Sequence, residues 1–135
     1  MAVKWNSAQI VDRVRRGAMR GVMIGIGIVE AHAVGLITAG GKSGRIYTRR
    51  GVKHQASAPG EAPASDTGRL VNSRRITLDS KDIRARLTFA TRYALPLEVG
   101  TRRVEPRPYA RRSLMEKNTD VRAAVAGEVR RELKP

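Results

Sequence analysis

With 135 residues, 27 of them basic and 12 acidic, the chain is short and carries a formal net charge of +15. The length allows one modest domain, predicted to span residues 1–135, and the scarcity of aromatic residues leaves its core to Ile, Val, Leu and Ala. The lack of cysteine excludes disulfides and thiolate metal sites, while the charge predicts a polyanionic or acidic partner.

A long N-terminal helix is predicted from Asn6 to Thr38, because apolar residues recur every three or four positions. Asn6 is the predicted cap, Trp5 packs ahead of it as a staple, and Gly40 with Gly41 ends the helix. Three glycines within the helix follow one another at four-residue intervals and so share one face. This face predicts the close approach of another backbone. The glycines are Gly17, Gly21 and Gly25.

The apolar run Gly21–Val29 is only nine residues long and is bounded by Arg20 and Glu30. A bilayer span needs about 20 apolar residues, so we predict no membrane span. A secretory signal is the alternative, because a basic leader, this run and Ala31-His32-Ala33 imitate its three parts. Asp12 and the continuing helical period disfavour the signal, and a mature chain that begins at Met1 or Ala2 would exclude it.

Residues 39–65 show neither helical nor strand periodicity and are predicted to form a long mobile loop that protrudes over about 40–65. No acid stands between Glu30 and Glu61, whereas five basic residues do. They form either a solvated loop or an electrostatic contact with nucleic acid or an acidic subunit. These candidate contact residues are Lys42, Arg45, Arg49, Arg50 and Lys53.

Asp66 is the predicted cap of a short helix that ends at Val71. A hairpin follows, in which apolar residues from Ile76 to Phe89 alternate with arginines and threonines around a turn at residues 79–82. We expect its apolar face to lie on the N-terminal helix and its arginine face to meet solvent or a neighbouring subunit.

Residues Tyr93–Val99 are predicted to form one or two helical turns that Gly100 ends. Pro108 then begins a final helix that continues to about Leu133 along one apolar stripe. The stripe consists of Leu114, Val121, Val125, Val129 and Leu133. The predicted fold class is α+β, with a long N-terminal helix, a long loop, a small antiparallel sheet and a C-terminal helix.

An enzyme is not predicted. Serines occur only in loop or cap settings without a neighbouring base, and Glu61 and Asp66 lie in a proline-rich segment that cannot hold two carboxylates at catalytic separation. Gly40-Gly41-Lys42-Ser43 lacks the first glycine of a P-loop and follows a helix instead of a strand. His32 and His54 lack the spacing of metal ligands. We therefore predict no catalytic residue, no cofactor and no metal.

Three short motifs carry a resemblance to a known family. The first runs from Ala56 to Leu70, the second from Tyr93 to Thr101, and the third begins at Arg107. In this order the chain resembles, from about Gly41 to about Leu114, the neck or tail-completion proteins of long-tailed bacteriophages. The chain departs from the family pattern at one position: in many members of that family an aromatic residue precedes the glycine that matches Gly100, whereas here the residue is Val99. The matching positions are Pro59, Gly60, Asp66, Gly68, Tyr93, Ala94, Glu98, Gly100, Thr101, Arg107, Pro108 and Tyr109.

The resemblance implies a structural virion protein at the head-tail junction, assembled in the host cytoplasm into a homo-oligomeric ring, with a hexamer favoured. Its partners would be the adjacent head-closure protein and the tail-terminator or tail-tube protein, with non-specific contact to genomic DNA and no membrane. The loop 42–64 would order on an adjacent subunit. A tail-terminator ring is one alternative, because a neck ring and a tail-terminating ring both need a small α+β body that oligomerises. The other is a sequence-independent nucleic-acid-binding protein, which the charge favours and the few aromatics disfavour.

Overall fold

The computed structural model describes residues 6–39 and 41–134, so the predicted staple at Trp5 and helix end at Gly40 lie outside the described residues. The α+β class is confirmed, with helices and two small antiparallel sheets alternating along the chain. In chain order the elements are α1 (Ser7–Thr38), β1 (Ile46–Arg49), β2 (Val52–Gln55), α2 (Arg69–Asn72), β3 (Arg74–Asp79), β4 (Arg84–Phe89), α3 (Ala94–Val99), α4 (Ala110–Glu116) and α5 (Asn118–Leu133).

Helix α1 begins as predicted, because the Asn6 side chain accepts a hydrogen bond from the Gln9 amide at 3.3 Å. Its glycine face is covered by α5, which runs antiparallel to it. A Cβ atom built on Gly17 would lie 2.7 Å from the Val129 Cα, and one on Gly25 would lie 2.8 Å from a Val121 methyl. The two helices therefore touch through backbone, as the glycine spacing predicts.

The predicted final helix is wrong in two respects, because it is interrupted at Lys117 and begins at Ala110 instead of Pro108. Lys117 has φ −100° and ψ 6°, which lies outside the helical region. This break lets α4 and α5 contact different parts of α1. Leu114 and Leu133, the two ends of the predicted stripe, are consequently exposed.

The hairpin β3–β4 has the predicted apolar face, with Ile76 opposite Leu87 and Leu78 opposite Ala85. Strand β4 packs on α1, and β3 contacts that helix through the Arg74–Glu30 ion pair, while Ile76 and Leu78 on β3 remain exposed. The expectation that the whole face is covered is wrong, because a single helix about 10 Å wide covers little more than one strand.

A second hairpin, β1–β2, lies inside the segment predicted as loop, so that prediction is wrong for residues 46–55. Arg50 and Gly51, with φ 51° and 77°, occupy the turn, and such left-handed pairs match the twist of two-residue hairpins. The strands are four residues long and exposed on nearly every position, so they leave no alternating pattern in the sequence.

The core lies at the C-terminal end of α1, where α2, α3 and α4 meet. Tyr109 is its largest buried residue and packs edge-on against Phe89, with ring centroids 4.9 Å apart. Tyr109 has φ −134°, outside the helical range, so α4 starts at Ala110, two residues after the predicted start at Pro108. The buried apolar residues of this core are Ile37, Ala62, Leu70, Val71, Ala94 and Tyr109.

Candidate functional site

The second and third motifs are joined by one carboxylate. The Glu98 oxygens accept hydrogen bonds from the backbone amides of Tyr109, Ala110 and Arg111 at 2.9, 3.0 and 2.8 Å. These amides form the otherwise unpaired first turn of α4, so Glu98 caps that helix from α3. Sequence reasoning selected Glu98 from the resemblance and did not assign it this role.

The chain between the two motifs forms a tight bend. Gly100 ends α3 with φ 77°, and a Cβ there would lie 2.9 Å from the Pro106 nitrogen. Thr101 Oγ1 accepts the amides of Arg103 and Val104, and the Arg107 amide donates to the Leu97 carbonyl at 2.7 Å. Gly100 and Thr101 thus shape the turn that returns Pro108 and Tyr109 to α3.

The first motif joins the same region through its backbone. The Gly60 amide donates to the Pro106 carbonyl at 3.1 Å, and Gly60 has φ 80° next to the exposed Pro59. Gly68, with φ 71°, is the residue that precedes α2. The motif glycines therefore stand where the backbone is left-handed.

Burial and hydrogen bonding distinguish the tyrosines of these motifs. Tyr109 is 2% exposed, its hydroxyl donates to the Ala94 carbonyl at 3.4 Å, and burial raises its pKa well above the usual range. Tyr93 is exposed at the start of α3. Tyr109 therefore serves the core, while Tyr93 is open to a partner.

The base of the predicted loop is fastened to the body. Lys42 donates to the carbonyls of Leu36 and Ala62 at 2.8 and 2.9 Å, and partial burial lowers its pKa. Glu61 accepts from the Ser43 hydroxyl and from the amides of Ser43 and Ala58. These hydrogen bonds lower the Glu61 pKa to about 2.

The tip of the hairpin β1–β2 is held to the body through one residue, Asp66. Asp66 accepts from Arg49 and lies 3.4 Å from the His54 Nε2, while His54 stacks on Tyr47. The Arg49 hydrogen bond lowers the pKa of Asp66. The prediction that Asp66 caps α2 is therefore wrong: that helix starts after Gly68 without a side-chain cap, and Asp66 holds the hairpin instead.

The five basic candidates separate into two groups. Lys42 and Arg49 are engaged by the partners just described. Arg45, Arg50 and Lys53 are exposed and make no ion pair within residues 6–39 and 41–134. The second group can therefore meet an external anion without breaking an ion pair within the described residues.

A Ser-His-carboxylate arrangement occurs where α1 meets α4, and sequence reasoning missed it because its members are up to 84 positions apart. His32 Nδ1 lies 3.1 Å from Ser113 Oγ, and His32 Nε2 lies 3.3 Å from the Glu116 carboxylate. Ser113 is 0% exposed and donates to the Tyr109 carbonyl at 2.6 Å, so it cannot attack a substrate. The group braces two helices. Among the described residues no cluster of three metal-ligating side chains occurs.

By length and composition α1 could cross a membrane, with a mean hydropathy of 1.7 over 18 residues, of which 28% are buried. Counting only the run between Arg20 and Glu30 understates this hydropathy, because a single Glu30 does not end the apolar stretch. Glu30 pairs with Arg74 at 2.7 Å, and the glycine face contacts α5. Helix α1 therefore packs against β3 and α5, although most of the 18-residue window is not buried.

Comparison of the chain with protein-family models, curated proteins and solved structures finds no match.

Proposed function

We propose that the protein is a structural component of a bacteriophage neck, forming a ring that joins the head connector to the tail tube and through which DNA passes. The observation that supports this most is the convergence of the three motifs. The three motifs are spread over more than 40 positions of the sequence. In the structure Glu98 caps the helix that follows Tyr109, and Gly60 donates to the Pro106 carbonyl in the bend between the second and third motifs. Such convergence is expected of residues that together specify one body.

A ring needs two different surfaces on each subunit, because only head-to-tail contacts close into a cycle of more than two. The hairpin β1–β2 offers one, with Ile46 62% and Val52 57% exposed. An open groove of about 610 Å³ between α3 and α4 offers the other, and Val99 and Met115 line it. Exposed apolar residues on a small core favour assembly, which supplies the burial that one copy lacks.

In this proposal the hairpin is the arm that reaches the neighbouring subunit. Its base is fixed by Lys42 and Glu61, and its tip is held to the body by the polar contact at Asp66. A polar tether exchanges readily for contacts on another subunit, because surface ion pairs contribute little net free energy. The arm is thus placed to dock without unfolding the core.

Antibody-gold labelling of particles purified from the source lysate tests the location. We expect label at the head-tail junction of intact particles and on tail-less heads. Label on free tails but not on tail-less heads would assign the protein to the tail-terminator ring instead. Unlabelled particles would overturn the virion role and favour the nucleic-acid-binding alternative, which the +15 charge supports.

Sedimentation velocity and negative-stain images of the purified protein test the ring. We expect a concentration-dependent closed oligomer, and its order would be read from the images. A monomer at high concentration that also fails to assemble on isolated heads would contradict the ring.

A further inference from the structure

We propose that the outer face of the β3–β4 sheet binds the phosphate backbone of nucleic acid without reading its sequence. The face is formed by Arg75, Arg84 and Arg86 together with Thr77, Asp79 and Thr88, and is here called the arginine face. The inference rests on the proposed function, in which DNA passes the ring, and names the surface that meets it.

The orientation of the arginine face follows from packing on the opposite side. Leu87 and Phe89 on the apolar side of β4 are partly buried, and β4 contacts α1. Alternate residues of a strand point to opposite faces, so the arginines must point away from the body. All three are exposed in the structure.

The spacing suits a chain of phosphates. Arg84 and Arg86 are two residues apart on one strand, which separates them by about 6.6 Å, and Arg75 follows diagonally on the neighbouring strand. Each guanidinium can therefore engage a different phosphate with paired N–H donors. The two threonine hydroxyls lie in the same rows and can donate to phosphate oxygens.

The charges of this face are scarcely neutralised. Within the described residues Arg75 and Arg86 make no ion pair, and Arg84 has only Asp82, at 3.6 Å and exposed. Asp79, the one acid on the face, accepts the amides of Lys81 and Asp82 in the turn. Arg15 of α1 donates to the Lys81 carbonyl at 2.8 Å and adds a further cation beside the turn.

In the hairpin β1–β2 Arg49 is bound to Asp66, and the unpaired Arg50 and Lys53 lie apart, at the turn and on one strand. The arginine face instead gathers its three exposed arginines on one side of one sheet, which suits a continuous phosphate chain better. It also lacks exposed aromatic rings on which bases could stack, so the contact is electrostatic and indifferent to sequence. An acidic protein is the competing partner, and the experiment separates the two.

The test measures fluorescence anisotropy of a labelled oligothymidylate of about 30 nucleotides with the full chain at several salt concentrations. The test variant is R75Q/R84Q/R86Q, and the matched control is R102Q/R103Q/R130Q, which removes equal charge from exposed arginines elsewhere. A third variant, R75K/R84K/R86K, keeps the charge and checks that the sheet tolerates substitution. Thermal unfolding by circular dichroism is recorded for all three.

Three lost contacts should reduce the slope of log K against log salt by about 2, since each phosphate on a single strand contributes about 0.7. The ratio of the affinity of the unmodified chain to that of R75Q/R84Q/R86Q should therefore fall roughly 20-fold between about 50 and 200 mM salt. The control and the lysine variant should keep a slope close to that of the unmodified chain.

Equal loss in the test and control variants, or no loss in either, would overturn the inference. So would poly-L-glutamate that binds with the same salt slope and loses binding through the same three substitutions, because the face would then recognise an acidic protein. Particle labelling and ring assembly do not depend on this readout, so either proposal can fail while the other stands.

Discussion

The α1–α5 pair and the β1–β2 hairpin are attached to the same body by opposite means. The helices meet through glycine at backbone distance, where no side chain can adjust. The hairpin is attached by hydrogen bonds and ion pairs at Lys42, Glu61 and Asp66, and leaves Ile46 and Val52 uncovered. The first attachment is intolerant of change and carries stability, whereas the second can be exchanged and is suited to assembly.

The largest effect is expected at Gly21. A Cβ there would overlap the Val125 Cα, so G21A must push the helices apart and should cost about 3 kcal/mol. Urea unfolding measures the loss. G27A is the matched control, because nothing lies within 4 Å of its Cβ, and it should stabilise by up to about 1 kcal/mol. Equal stability of the two variants would show that α1 and α5 do not pack through backbone.

Removal of the Glu98 cap should have the next largest effect. E98A leaves three amides of α4 without an acceptor and should destabilise the protein by about 2 kcal/mol. The same urea titration applies, with E105A as control because Glu105 is exposed and makes no ion pair among the described residues. An unchanged urea midpoint for E98A would show that the Glu98 cap does not stabilise the protein.

Strong acid should release the Glu61 hydrogen bonds at the base of the hairpin. Glu61 has its pKa lowered to about 2, so its stabilising effect is complete above the unfolded value of about 4.3 and disappears as pH falls through about 2. The amide resonances of Ser43 and Ala58 should titrate with a midpoint near 2. E61Q should abolish this titration, and a midpoint at or above about 4.3 would contradict the hydrogen bonds assigned to Glu61.

The smallest effect on stability is expected on the hairpin, together with a clear effect on assembly. I46S/V52S should change the free energy of unfolding by no more than about 0.5 kcal/mol, because both side chains are exposed. It should nevertheless weaken the oligomer in sedimentation velocity, as M115S should on the groove side. I10S/V11S, on exposed positions of α1, is the control. Oligomers that survive both changes would exclude the hairpin and the groove as the ring contact.

Prediction from sequence succeeded where the pattern is local. The 3.6-residue period of α1, its Asn6 cap and the alternation of β3–β4 depend on residues a few positions apart, and all three were predicted. The hairpin β1–β2 was missed, because its strands are exposed on nearly every position and so lack a period. Its one local signal was the Arg50-Gly51 turn.

The candidate site divides in the same way. The resemblance selected Glu98, Gly100 and Tyr109 as structural residues of the family motifs, and the hydrogen bonds and the close backbone approach at these positions became visible only in the structure. The five basic candidates looked equivalent in sequence, and the structure separated Lys42 and Arg49 from the rest. Asp66 was assigned as the cap of a helix that it does not cap, because many aspartates share this preference for caps and turns.

The sequence by itself determined the α+β class, the long glycine-faced helix, the arginine face of the hairpin and the large positive charge. Only the tertiary structure decided that α5 covers the glycines and which cations stay free for a partner. The physical reason is range: periodicity and capping act within about four residues. Lys42 donates to the Ala62 carbonyl 20 positions away, and Arg49 donates to Asp66 17 positions away. Contacts over such separations leave no local pattern in the sequence.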